Sequence, residues 1–121
     1  MLNIQRAAGR PAEDRTGNPI FEGHVHGQSI VTPADSDHIQ AAYVHFSPGA
    51  RTRLHRHTSD QLLIVTNGIG KVGDADGEHV IAIGDSVLIP AGHDHWHGAG
   101  DTGAPMTHLT VQTADSQTTV L

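Results

Sequence analysis

The sequence predicts an all-β domain, an antiparallel sandwich or barrel, on three observations. Fourteen Gly and six Pro punctuate the chain. Short runs of Val, Ile, Leu and Thr lie between them. No window of about 12 residues sustains the 3.6-residue period of an amphipathic helix. Short strands at close spacing bury their apolar side chains only by pairing and stacking. At 121 residues the chain has the length of one domain, enough to bury about two-thirds of the surface its unfolded form exposes.

The elements follow in order. Residues 1–20 read as an irregular N-terminal arm, and a single barrel is expected over 21–112. Strands are expected at 21–31 and 38–47, separated by the turn-rich stretch Pro33 to Asp37, and Ser47-Pro48-Gly49 closes the second. A strand at 61–66 alternates, so that Gln61, Leu63 and Val65 share one face and Leu62 and Ile64 the other. Asn67-Gly68 reads as a hairpin turn into a strand at 68–73. Strands at 78–83, 86–89, 95–98 and 106–112 complete the set, with turns at Asp74 to Gly77 and at Pro90-Ala91-Gly92. Residues 113–121 read as a polar C-terminal tail.

Charge and composition remove several classes of function. Seven basic against thirteen acidic residues give a formal charge of -6, and no stretch is dense in Lys or Arg, so neither nucleic acid nor an anionic membrane is an expected partner. There is no cysteine, hence no disulfide and no thiolate ligand; any metal is held by nitrogen and oxygen. The first 19 residues contain Arg6, Arg10, Glu13, Asp14 and Arg15 and lack the apolar core of a secretory signal, and no apolar run has the length of a membrane span. A cytoplasmic location is the expectation.

The most informative feature is a spaced set: Gly49, His55, His57, Gln61 and Gly68, then Gly84, Pro90, Gly92 and His95. Two His one residue apart on a strand point to the same side, the arrangement a chelate needs, and imidazole nitrogen suits Mn, Fe, Co, Ni or Zn. The glycines stand where the chain must turn sharply, which favours positive φ. Gly49-x5-His55-x-His57-x3-Gln61-x6-Gly68 resembles the first cupin motif, and Gly84-x5-Pro90-x-Gly92-x2-His95-x3-Ala99 resembles the second. Gln61 stands where many cupins have Glu, and Ala99 where many have Asn. The resemblance implies a cupin double-stranded β-helix, a conical barrel related to the jelly roll.

The flanking residues resemble one group more closely. Gly49-Ala50-Arg51-Thr52, Gln61-x-Leu63-Ile64-Val65-Thr66, His95-Trp96-His97-Gly98-Ala99 and Met106-Thr107-His108-Leu109 with Gln112 look like the small bacterial cupin hydroxynitrile lyases, manganese-dependent enzymes that cleave or form cyanohydrins. That resemblance implies metal ligation by His55, His57, Gln61 and His95. It places His97 and His108 beside the substrate as catalytic residues and has Ala42, Val44 and Gln112 line the pocket. One divalent transition metal is expected, manganese foremost, with Fe, Ni, Co or Zn as alternatives. A neutral carboxamide in place of a carboxylate leaves such an ion its full double charge and makes it a stronger Lewis acid.

Three classes of function are therefore in play: a metal-dependent lyase of hydroxynitrile type acting on a small molecule, an Fe(II)-dependent cupin dioxygenase, and a non-catalytic cupin that binds a small molecule. Other features are read more plainly. Trp96 is expected to pack; His38, His45, His79 and His93 to lie on the surface or in loops; Arg51, Arg53 and Arg56 to line a solvated strand face; and His24-Val-His26 to lack a third ligand. Leu62, Ile64 and Leu88 should face outward, which together with the cupin resemblance points to a homodimer or higher homo-oligomer, with the arm available to pair across it.

Overall fold

The computed structural model describes residues Met1–Leu121. One 3-10 turn (Ala7–Gly9) is followed by twelve strands: β1 (Glu13–Asp14), β2 (Phe21–Glu22), β3 (Val25–Val31), β4 (Ile39–Phe46), β5 (Arg51–Thr52), β6 (His55–His57), β7 (Gln61–Asp74), β8 (Gly77–Ala82), β9 (Ser86–Ile89), β10 (Trp96–Gly98), β11 (Met106–Thr113) and β12 (Thr118–Val120). No helix is long and apolar enough to cross a membrane. Ten strands form one antiparallel sheet in the order β1-β3-β4-β11-β7-β10-β5-β2, with β8 and β9 also on β7, and β12 pairs with β6 in a separate ladder.

The long strand β7 explains the curl. Its first part pairs with β11 and β9 and its last part with β10 and β8, so one strand belongs to two walls that face each other. The expected hairpin at Asn67-Gly68 is instead a bend inside this strand. Gly68 has φ +74°, and the ladder to β11 shifts register between Thr107 and His108. A Cβ on Gly68 would collide with the Pro105 carbonyl oxygen. The bulge redirects β7 without reversing it, which is the use a glycine with positive φ serves at a barrel corner. All four motif glycines (49, 68, 84 and 92) have positive φ, as their spacing predicts.

Alternation along β7 follows the sequence: Gln61, Leu63 and Val65 are buried, Leu62 and Ile64 partly exposed. Leu88 on the adjacent β9 is 66% exposed. Val25, Val44, Phe46, Ala50, Val65, Ile81, Ala99 and Met106 make one apolar cluster. Phe46, 1% exposed, meets Phe21 edge-on and lies with ring centroids 5.4 Å from His108 and 6.0 Å from His97. Burying an aromatic of this size contributes about 1.5–3 kcal/mol. The apolar core is thus the wall against which the buried histidines are set.

Both ends of the chain are more ordered than their composition suggests. Within 1–20, β1 pairs with β3 of the same chain, Glu13 opposite Gly27 and Asp14 opposite His26. Within 113–121, β12 lies along the two-histidine strand, Thr118 opposite His57 and Val120 opposite His55. Edge pairing of two or three residues leaves almost no periodic signature in a sequence, and β5 and β6 escape strand recognition for the same reason. The expected strand at 21–31 splits at Gly23 (φ +86°), which sends β2 to pair with β5 and β3 to pair with β4.

Candidate metal centre

The histidines of the motif arrive from three directions. His55 and His57 sit on β6 with Arg56 pointing out between them. His95 bridges back to His55, each backbone N–H donating to the other's carbonyl at 2.9 Å. His97 comes from β10, and His108 comes from β11 just past the register shift at which the β7 ladder skips Thr66, between Asn67 and Val65. His55, His57, Gln61, His95, His97 and His108 are all buried. The ligand atoms of His55, His95 and His97 lie within 4.8 Å of one another. His57 stands with its ring centroid 4.9 Å from that of His55 and 5.6 Å from that of His95.

Hydrogen bonds fix which nitrogen of each ring is free. Nδ1 of His55 donates to the Arg53 carbonyl and Nδ1 of His95 to the His93 carbonyl, both at 2.8 Å. A ring whose Nδ1 carries the proton presents a lone pair at Nε2, the tautomer a metal ligand requires. Nδ1 of His57 meets the Thr118 hydroxyl at 2.8 Å, and the Gln112 amide nitrogen, a donor only, faces its Nε2 at 3.3 Å. His57 therefore also presents a lone pair inward.

His97 and His108 are different. Nδ1 of His97 and Nε2 of His108 share one proton across 3.0 Å. The other ring nitrogens, Nε2 of His97 and Nδ1 of His108, are buried without a partner. No oxygen pins either tautomer, so the proton between them can sit on either ring.

Two details fit a cation. Nε2 of His55 is buried and has no partner. The carboxamide of Gln61 donates through Nε2 to the Thr110 hydroxyl at 2.9 Å, which turns Oε1 towards Nε2 of His95 at 3.1 Å. Both of those atoms are acceptors, and two lone pairs at this distance repel unless a cation lies between or beside them. Burial keeps all five rings neutral, the form that ligates. It pushes His55 down to about 3 and His57 to about 4, with the neighbouring rings adding to the effect, and His108 to about 4. It lowers His95 and, with His108 beside it, takes His97 well below the usual imidazole value.

Ala42, Val44 and Gln112 line one cavity of about 260 Å³ together with Thr110 and Ser29. It adjoins the histidines: Val44 is paired with His108 across β4 and β11, Thr110 holds Gln61, and Gln112 touches His57. The alternation Met106, His108, Thr110, Gln112 along β11 carries the signal for Thr110. Thr118 and Arg15 carry none, because they come from the tail and the arm. His45, expected at the surface or in a loop, is half-buried on β4 between the Thr107 hydroxyl (2.9 Å) and the Gln28 carboxamide (2.8 Å). Trp96 packs as expected, with the Arg51 guanidinium 4.4 Å from a ring centroid.

Residues 42–112 match the cupin domain family. This chain belongs to it. The cupin is 43% identical over 114 residues to an (R)-mandelonitrile lyase of Granulicella tundricola, covering 92% of this chain and 84% of that protein. A cupin-like protein of Thermotoga maritima superposes with a TM-score of 0.80 at 29% identity, covering 98% of this chain and 88% of the other. A polyketide cyclase of Streptomyces resistomycificus superposes at 0.86 with 17% identity, covering 100% and 86%, which is a likeness of fold alone. The family places the buried three-histidine cluster in a scaffold suited to one divalent metal.

Strand β12 lies along β6, and its Thr118 hydroxyl meets Nδ1 of His57 at 2.8 Å. Since Thr118 alone fixes the outer nitrogen of His57, Thr118→Val is expected to weaken metal binding about tenfold, read by competition with a chelator. Unchanged affinity would mean that His57 is not a ligand.

Proposed function

We propose that this cupin is a metal-dependent lyase of hydroxynitrile type, which cleaves a cyanohydrin to a carbonyl compound and hydrogen cyanide. The single observation that carries the reading is the His97–His108 dyad, which shares one proton and leaves Nε2 of His97 free beside His55 and His95. The 43% identity to a mandelonitrile lyase supports it. His55, His57, Gln61 and His95 hold the metal, manganese in the first instance. The ion supplies Lewis acidity, favouring negative charge on the substrate oxygen.

The protein's own residues do the rest. With the shared proton on Nδ1 of His97 and directed to His108, Nε2 of His97 bears a lone pair and accepts the hydroxyl proton of the cyanohydrin. The Nδ1 proton passes to His108 as this happens, so the dyad gains one proton overall. The bond between the carbinol carbon and cyanide then breaks, its electron pair leaves with cyanide, and the carbon becomes a carbonyl. The dyad returns the proton to cyanide and is neutral again. A site that keeps imidazoles neutral gives a borrowed proton up readily. Ala42 and Val44 are small and leave room for the rest of the substrate. Leu62, Ile64 and Leu88 form the outward apolar strip that we assign to a second copy of the chain, in a homo-oligomer.

The test pairs metal analysis with cyanide release from mandelonitrile by the manganese-loaded protein. Wild type is expected to release cyanide. His57→Ala should lose most of its metal, whereas His97→Ala should keep its metal and lose turnover. The reverse pattern would make His97 the ligand and remove it from proton transfer. Oxygen uptake by the iron-loaded protein without cyanide release would replace the lyase by a dioxygenase.

A further inference from the structure

We infer that Arg15, from the N-terminal arm, is the anion-binding end of the substrate cavity, and that the substrate is a small hydroxy or oxo compound carrying a carboxylate at the end remote from the reacting carbon. This rests on the lyase reading for the reacting end only. Arg15 follows β1, and its backbone N–H donates to the Val25 carbonyl at 2.8 Å. Its side chain turns inward over β3, where Nη2 donates to the Ser29 hydroxyl at 3.2 Å. A Cβ on Gly27 would overlap the guanidinium. Gly27 is buried, so the bare backbone there is a cradle that only glycine provides.

Register places this guanidinium in line with the dyad. Across the inner face His108 is opposite Val44, and Val44 is opposite Gly27. One position along, Thr110 is opposite Ala42 and Ala42 opposite Ser29. Neighbouring strands are about 4.8 Å apart, so Gly27 lies about 10 Å from His108. The span between them is walled by Ala42 and Val44 and fits a molecule with a ring or a short chain between its two polar ends.

Arg15 is the one ionised side chain lining this cavity, in a protein whose net charge is -6. Its contact with Glu13 is 3.7 Å long and Glu13 is 64% exposed, too long for a hydrogen bond and too solvated to neutralise it. Of the five guanidinium donors, one is used within the protein. The others offer a carboxylate the paired geometry for which arginine is suited.

The experiment compares 4-carboxymandelonitrile with its neutral carboxamide, in manganese-loaded wild type, Arg15→Gln and Arg15→Lys. Wild type should favour the carboxylate. In Arg15→Gln the ratio of kcat/KM for carboxylate over carboxamide should fall about tenfold or more, the value of one charge-assisted hydrogen bond, with partial recovery in Arg15→Lys. A ratio unchanged by Arg15→Gln overturns the inference. So does a rise in the KM for cyanide that is the same for every aldehyde in the synthetic direction, which would assign Arg15 to cyanide. Calorimetry with 4-formylbenzoate and 4-formylbenzamide separates this inference from the lyase reading. If wild type cleaves neither nitrile yet prefers the benzoate, and Arg15→Gln loses that preference, the lyase reading fails and the anion site stands. Equal binding of the two by wild type overturns the anion site.

Discussion

His108→Asn is expected to lower turnover on a cyanohydrin about 100- to 1000-fold, the usual worth of a positioned proton-transfer group, while the protein keeps its metal and its fold. Asparagine preserves a polar amide near Nδ1 of His97 but cannot accept and return a proton, so positioning and proton transfer are separated. The same loss is expected for His97→Asn. Because one proton is shared across 3.0 Å, the two rings act as a unit, and His97→Asn/His108→Asn should cost little more than either change alone. Single-turnover rates with metal content measured on the same samples check this. Losses that multiply would mean that the rings act in separate steps.

The sequence marked the buried polar cluster more sharply than the short strands that frame it. The spacing that marked His55, His57, Gln61 and His95 singled out four side chains that the fold buries close together, because a two-histidine strand and two sharp turns constrain both residue type and spacing. Leu63 and Val65 were legible because a half-buried strand alternates. What the sequence concealed is local to short edge pairings. β1 and β12 are two and three residues long, below the length at which alternation can be seen, yet one carries Arg15 into the cavity and the other fixes His57.

The misread turn at Asn67-Gly68 has a different origin. A hairpin turn and a bulge both call for a glycine with positive φ, and only the strand packed alongside decides between them. Here β11 runs past Gly68 on one side, with Met106 opposite it, so the chain bends and continues. Just before this bend the ladder skips Thr66, so β11 changes register between Thr107 and His108, at the residue whose ring meets His97.

Acidification below neutrality should destabilise the metal-stripped protein steeply. In the folded chain burial holds His55 to about 3, and His57 and His108 to about 4, against about 6.5 for an unfolded histidine. Between those values the unfolded chain binds protons that the folded chain refuses, so stability rises with pH through this window. The contribution is fully present above about 6.5 and is lost as pH falls towards 4. Each such group costs about 1.4 kcal/mol per pH unit inside the window, and the three together about 4 kcal/mol per unit. That slope is a large fraction of the roughly 5–15 kcal/mol by which a domain is stable, so the urea midpoint is expected to fall steeply as pH drops below about 6.5. Urea midpoints at pH 7, 6 and 5, with and without manganese, measure it. Manganese should raise the midpoint at pH 7 and lose that effect on acidification, because the metal and the proton compete for the same Nε2 lone pairs. A midpoint that stays level from pH 7 to pH 5 without metal would mean that these rings meet water in the folded state, and a dry proton-sharing dyad could not then operate there.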